Sequence, residues 1–220
     1  MTKMTPPERI QRNLLAAGER RLLTWLAARL PLWVTPDRLT SLGFVAAFAI
    51  GAGYALSHLN PAWLWLSIIA FFVNWFGDSL DGSLARFRKI ERPSYGYFVD
   101  HSADALGNLA IVGGIGLSPY VRLDIALFAL VTYLLLSIHT FLSAKVVDEF
   151  NLTYLAGGPT EMRIILIGMT LAMLHFGPDK IGSHAYSGFD IFAGGFAAIL
   201  LGVFIVQTVS LGTKLRKRGK

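Results

Sequence analysis

Six apolar runs, each near the length that crosses a bilayer, dominate this chain of 220 residues. They fall at approximately Leu39–Ser57, Pro61–Gly77, Val99–Leu117, Leu123–Ala144, Glu161–Phe176 and Phe189–Gly212. A hydrocarbon core about 30 Å thick calls for roughly 20 apolar residues of helix, since no water inside it can satisfy a free backbone N–H or C=O. Charge is scarce to match. Asp, Glu, Lys and Arg make up 15% of the chain, against about 25% in soluble domains, too little to cover a water-facing globule. The absence of cysteine excludes a disulfide scaffold, a thiolate nucleophile and a Cys-zinc site. The expected fold is an all-α integral membrane protein with six transmembrane helices in one domain, residues 39–212.

Residues 1–38 form a separate N-terminal segment with seven basic residues and no apolar core long enough for a cleavable signal. Within it, Pro7–Leu30 predicts an amphipathic helix. Leu14, Leu15, Leu22, Leu23, Leu26 and Leu30 approximate one face, and Arg9, Arg12, Glu19, Arg20 and Arg29 fill much of the rest. Such a helix lies in the membrane interface or packs on the body of the protein. Of the 20 Lys and Arg residues, all but Arg122 and Lys180 fall on the side of the two termini, including the basic tail 213–220. By the positive-inside rule both termini are cytoplasmic. The net charge of +6 then faces anionic lipid and requires no nucleic-acid partner.

Four acids stand where a membrane protein tolerates them poorly. Asp78 and Asp81 close the second run, and Asp100 and Asp104 open the third. An Asp well inside a spanning helix costs about 2.5–3.5 kcal/mol on insertion scales, so it marks function by default. If the second helix runs on to Arg86, its pair sits at i and i+3 on one face; the other pair sits at i and i+4. The two helices are consecutive and antiparallel, which brings both pairs to the cytoplasmic end. Carboxylates gathered there repel unless a cation lies among them, and hard oxygen ligands suit Mg²⁺ or Mn²⁺. Two such ions would permit in-line attack on phosphorus. Between the pairs, Gly82 and Ala85 leave room for a ligand, Arg86 offers a guanidinium fork for phosphate, and Gly96 adds a second small position. Any one of these acids alone is more often a helix cap or an interface residue. Arg86, Arg88, Lys89 and Arg92 alone are ordinary positive-inside charges.

Written out, Asp78 to Asp104 reads D-x2-D-G-x2-A-R-x9-G-x3-D-x3-D. This resembles the signature of the CDP-alcohol phosphotransferases (CDP-alcohol phosphatidyltransferases), integral membrane enzymes of phospholipid biosynthesis that form a phosphodiester and release CMP. The family commonly has eight residues between the Arg and the second Gly; here there are nine, Phe87 to Tyr95, in a basic loop containing Pro93. The resemblance implies that Asp78, Asp81, Asp100 and Asp104 hold Mg²⁺ or Mn²⁺, as two ions, and that Asp104 is the general base. It implies that Gly82, Ala85 and Gly96 line the cytidine pocket and that Arg86 contacts the diphosphate. Thr35–Thr40 looks like the P-N/D-x-x-T segment of the family's first span, which would bring Thr40 to the nucleotide. The same residues also make ordinary helix-start chemistry, with Thr35 or Asp37 as cap.

Asp100-His101-Ser102-Ala103-Asp104 is similar to the Asp-His-x-x-Asp form of the choline/ethanolamine branch, where the His helps activate the acceptor; a polar interface residue is the plain alternative. Glu161 and Arg163, in Gly157–Arg163, share the cytoplasmic side and stand as candidates for a substrate head group, although Gly, Pro and Thr there also simply restart a helix. The other histidines (His58, His139, His175, His184) form no ligand spacing. Asn108, Gly107, Gly113, Gly114 and Gly116 read as close helix packing. The expected partners are a CDP-linked donor (CDP-diacylglycerol or a CDP-amino alcohol), an alcohol acceptor, membrane lipids and a second copy in a homodimer. The expected location is a bacterial plasma membrane. An intramembrane prenyltransferase would carry two Asp-rich motifs in a longer chain. A cation transporter would need a polar path that the nearly charge-free far side does not offer.

Overall fold

The computed structural model describes residues 16–147, 158–178 and 186–218. Among them are seven α-helices: α1 (Ala16–Ala27), α2 (Pro36–Leu56), α3 (Leu64–Arg88), α4 (Pro93–Leu117), α5 (Leu123–Val147), α6 (Pro159–Phe176) and α7 (Gly188–Arg218). A short 3₁₀ turn, Pro61–Trp63, leads into α3. The all-helical architecture agrees with the sequence. Among the described residues four stretches are long and apolar enough to cross a membrane: Pro36–Leu56, Pro61–Arg88, Leu123–Val146 and Gly188–Lys217. The third and fifth predicted runs form α4 and α6, which are less apolar than these four; α4 carries both aspartates of its pair, and α6 carries Glu161, Arg163 and His175.

Three helix boundaries move relative to the sequence reading. The second predicted run continues without a break as α3 to Arg88, so Asp78 and Asp81 lie inside it. It closes on Lys89 in the left-handed region (φ 56°), where Lys89 N and Ile90 N bond back to the carbonyls of Arg86 and Ala85. The third predicted run starts early, as α4 at Pro93, where a fixed φ and a missing N–H suit the first helical position. A turn of only four residues thus returns the chain and brings Asp100 and Asp104 beside Asp78. The seventh helix runs on through most of the predicted tail to Arg218.

Inside a bilayer, lipid tails are as apolar as leucine, so helix association rests on close fit rather than on expelling water. Glycines supply that fit here. A Cβ at Gly77 would lie 2.5 Å from Gly43 N, and one at Gly114 would lie 2.2 Å from the Gly51 carbonyl oxygen. These two contacts clamp α2 onto α3 and α4. Gly107 and Gly116 also face neighbours, Ala47 and Leu123/Ala126, whereas Gly113 faces open space. Behind the clamp lies the main core, with Ile50 and Tyr54 of α2, Phe71 of α3, Ile111 and Ile115 of α4 and Met173 of α6. The Tyr54 and Thr170 hydroxyls bond at 2.5 Å and join α2 to α6. Thr170 gives its own proton to the Leu166 carbonyl, so Tyr54 is the donor. On the opposite flank α5 pairs with α7, where His139 bonds the hydroxyls of Ser143 and Thr208 at 3.1 Å.

A smaller apolar cluster lies at the end where the aspartates are. Leu23 and Ala27 of α1 pack with Val34, Leu39, Leu80 and Leu84. The amphipathic helix therefore docks on the body of the protein along this side, while Leu22 and Trp25 stay exposed on the other. The first part of the predicted amphipathic helix, residues 7–15, lies outside the described residues. Arg88 secures the connection to α2, donating to the carbonyls of Val34 (2.5 Å), Leu30 (2.9 Å) and Pro31 (3.0 Å). Its charge has a structural use beyond setting topology.

Candidate metal and substrate site

Asp78 of α3 and Asp100 and Asp104 of α4 each offer a carboxylate oxygen within 4.8 Å of the others. Asp78 and Asp100 are half-buried and Asp104 is exposed. Helix geometry explains the convergence: one turn along α4 stacks Asp104 over Asp100, and the short turn before α4 sets both beside Asp78. At an effective dielectric near 20, each pair of full charges at this separation costs on the order of 3 kcal/mol. A hard divalent cation offsets that repulsion, and an all-carboxylate donor set fits Mg²⁺ or Mn²⁺.

Asp81 stands apart from this trio. Its Oδ2 accepts from the Thr40 hydroxyl at 2.5 Å and its Oδ1 from its neighbour's amide, Gly82 N, at 2.5 Å. Thr40 also lies 3.1 Å from the Pro36 carbonyl, but one hydroxyl proton serves the shorter, charge-assisted bond best. Thr40 thus acts on an aspartate directly. The helix-start alternative belongs to Thr35, which accepts from Arg38 N at 3.3 Å. Asp37, in the first turn of α2, pairs instead with Arg92 in the α3–α4 turn, both half exposed.

The trio has a cation of its own. Arg163 of α6 donates from Nη2 to Asp78 Oδ2 at 2.5 Å and from Nε to Asn74 Oδ1 at 2.8 Å. Asn74 is fixed in turn by donating to the Gly43 carbonyl at 2.9 Å. Arg163 Nη1 is buried without a hydrogen-bond partner among the described residues, as is Glu161 Oε1. The other oxygen of Glu161 accepts from Gly158 N at 2.8 Å, the half of a capping box that a glycine N-cap permits. Arg163 therefore keeps one donor to spare beside Asp78, and Glu161 one acceptor two residues before it on α6.

The remaining predicted residues occupy the rim. Arg86 is exposed and folds back to Ser83 at 3.3 Å, with Nη1 3.4 Å from where a Gly82 Cβ would stand. Gly96 faces open space and Ala85 is half-buried on α3. His101 lies 3.9 Å from Asp100 Oδ2, bonds the Tyr97 carbonyl at 2.8 Å, and rests against the rings of Tyr97 and Phe141. Asn74 and Glu19 escaped the sequence reading. Asn74, four residues before Asp78, was visible as a polar residue in an apolar run; Glu19 looked like any charge on an amphipathic face.

Residues 33–209 match the family model described as CDP-alcohol phosphatidyltransferase. The chain is 33% identical over 101 residues to an archaetidylinositol phosphate synthase of Pyrococcus horikoshii, covering 46% of this chain and 50% of that protein. It is 28% identical over 96 residues to cholinephosphotransferase 1 of Danio rerio, covering 41% of this chain and 25% of that protein. The chain thus spans half or less of the length of these curated relatives. The family is divalent-metal dependent in general, in keeping with the carboxylate cluster.

Proposed function

The chain belongs to the CDP-alcohol phosphatidyltransferase family, and from that premise we propose that it moves a substituted phosphate from a CDP-linked donor to an alcohol hydroxyl and releases CMP. The observation that carries this reading is the trio Asp78, Asp100 and Asp104 inside the matched segment, with carboxylate oxygens within 4.8 Å.

Asp78, Asp100 and Asp104, with Asp81 held ready by Thr40, are the residues to hold Mg²⁺ or Mn²⁺, as two ions. Bound there, the metal supplies positive charge against the diphosphate and the departing CMP. Asp104 faces outward and is the base: it takes the proton of the attacking hydroxyl as the new O–P bond forms and the bond to CMP breaks. Arg86 meets the diphosphate, while Gly82, Ala85 and Gly96 leave a side-chain-free surface for the cytidine. Glu161 Oε1 and Arg163 Nη1 are free to meet the acceptor's head group, and His101 orients it. The site opens on the cytoplasmic face of a bacterial plasma membrane, with six spans, both termini inside, and a homodimer as the working unit. At least one substrate is a lipid, entering sideways between helices.

The test is CMP release by purified protein with Mg²⁺, across CDP-diacylglycerol, CDP-choline and CDP-ethanolamine with matched acceptor alcohols. The relatives carry different product names, so the panel must span lipid and amino-alcohol donors. Release with one donor, absent from Asp104→Asn, is expected. No release from folded, metal-loaded protein with any pairing would count against the reading, and cation flux would be measured next.

A further inference from the structure

We propose that Glu19, on the amphipathic helix outside the bundle, is a positioning residue for the aspartate cluster: it pins the start of α6 to α3 and thereby sets Arg163 on Asp78. This rests on the reading of Asp78 as a metal ligand.

Glu19 Oε1 accepts two hydrogen bonds, from Trp75 Nε1 at 2.8 Å and from Thr160 Oγ1 at 2.6 Å. Three helices meet on that one oxygen. On α3, Trp75 adjoins Asn74 and stands three residues before Asp78. On α6, Thr160 stands three residues before Arg163. Arg163 then crosses the same seam in the other direction, to Asn74 and Asp78. Two cross-links, about one helical turn apart, therefore tie the same pair of helices. The outer one is made by Glu19 and the inner one touches the cluster.

Glu19 can bear this role because its own helix is anchored. Leu23, one turn further along α1, is buried with Leu80 and Leu84 of α3. A carboxylate at the first turn of α6 also sits at the positive end of that helix, which holds it there. An indole N–H and a hydroxyl each have a single proton to donate, and both lose their acceptor when Glu19 is removed. The first turn of α6 then shifts to regain hydrogen bonds. A helix moves as a rigid rod over one turn, so the shift reaches Arg163 and frees Asp78 to turn. Partners that orient a metal ligand typically carry about 10–100-fold in metal affinity.

The test uses the full chain in nanodiscs, with Mn²⁺ binding read from the paramagnetic resonance of free Mn²⁺. Glu19→Ala and Thr160→Val are each expected to weaken Mn²⁺ binding by about tenfold. Glu19→Gln keeps an acceptor oxygen and is expected to restore binding to within about threefold. In an Arg163→Gln background the effect of Glu19→Ala is expected to vanish, since the inner link is already gone. Unchanged or tighter Mn²⁺ binding in Glu19→Ala, where Asp78→Asn abolishes it, would overturn the proposal and leave the reading of the site intact. So would an effect that simply adds to that of Arg163→Gln, the mark of general destabilisation. Mn²⁺ binding indifferent to Asp78→Asn would overturn the site reading and this inference with it. If Glu19→Ala does not fold, Thr160→Val and Trp75→Phe, which remove one donor each, carry the same comparison.

Discussion

Replacing Thr40 with valine removes one oxygen and keeps the shape of the side chain. In the structure that oxygen donates to Asp81 Oδ2 at 2.5 Å, and the other carboxylate oxygen is held by Gly82 N. A hydrogen bond to a charged group contributes about 1.5–3 kcal/mol. At about 1.4 kcal/mol per decade this corresponds to roughly 10–150-fold. Asp81 is half-buried, so water replaces part of the lost bond, and the lower half of that range is expected. The assay is the initial rate of CMP release, titrated separately in Mn²⁺ and in CDP-linked donor. Thr40→Val should raise the apparent metal constant and lower kcat/KM by about 10–50-fold, with the donor KM at saturating metal unchanged. Thr40→Ser, which keeps the hydroxyl, should stay within about threefold of the parent. A rise in donor KM alone would mean that Thr40 meets the nucleotide and that its bond to Asp81 is incidental. No change in either constant would refute the reasoning altogether.

Asn at Asp78 or Asp100 should each abolish measurable turnover in protein that still folds. Loss of the base alone, in Asp104→Asn, should cost about 10²–10⁴-fold, and a variant with near-full activity would sink that assignment. Gly114→Ala drives a methyl to 2.2 Å from the Gly51 carbonyl oxygen, where only backbone can yield. Overpacking of about 1–3 kcal/mol should lower Tm by roughly 2–12 °C, whereas Gly113→Ala, facing open space, should leave the melting curve where it is. Asp37→Asn breaks a half-exposed pair with Arg92. Its effect on stability should stay under about 1 kcal/mol and shrink with added salt; a larger, salt-independent loss would show that the pair does more than decorate the turn. Chelation should stop CMP release, and Mg²⁺ or Mn²⁺ added back should restore it in proportion to occupancy.

The features legible in the chain were those that local geometry decides. Apolar runs of bilayer length announced the helices, Thr35-Pro36 and Gly158-Pro159 announced two of their starts, and spacings of three and four residues put each Asp pair on one side of its helix. A short basic turn between antiparallel helices was enough to bring Asp78 toward Asp100 and Asp104. The extension of the second helix to Arg88 could be read only conditionally. Leucine, aspartate, glycine and arginine in that stretch suit a spanning helix and a polar loop alike, and Lys89 takes a backbone conformation that its side chain does not advertise.

What tertiary structure alone decided is which residues meet across long separations. Arg163 reaches Asp78 and Asn74 from a helix more than eighty residues away, Thr40 finds Asp81, and Glu19 joins Trp75 to Thr160. Periodicity tells which side of a helix a residue lies on, but not which helix faces that side. In a bilayer the apolar surfaces are nearly interchangeable, so the choice falls to a few close contacts such as Gly43 on Gly77 and Gly51 on Gly114, whose fit depends on both partners at once. The composition and spacing of the aspartates determined that a cation site could exist. The packing of α1, α2 and α6 around α3 determined which side chains hold those aspartates in place.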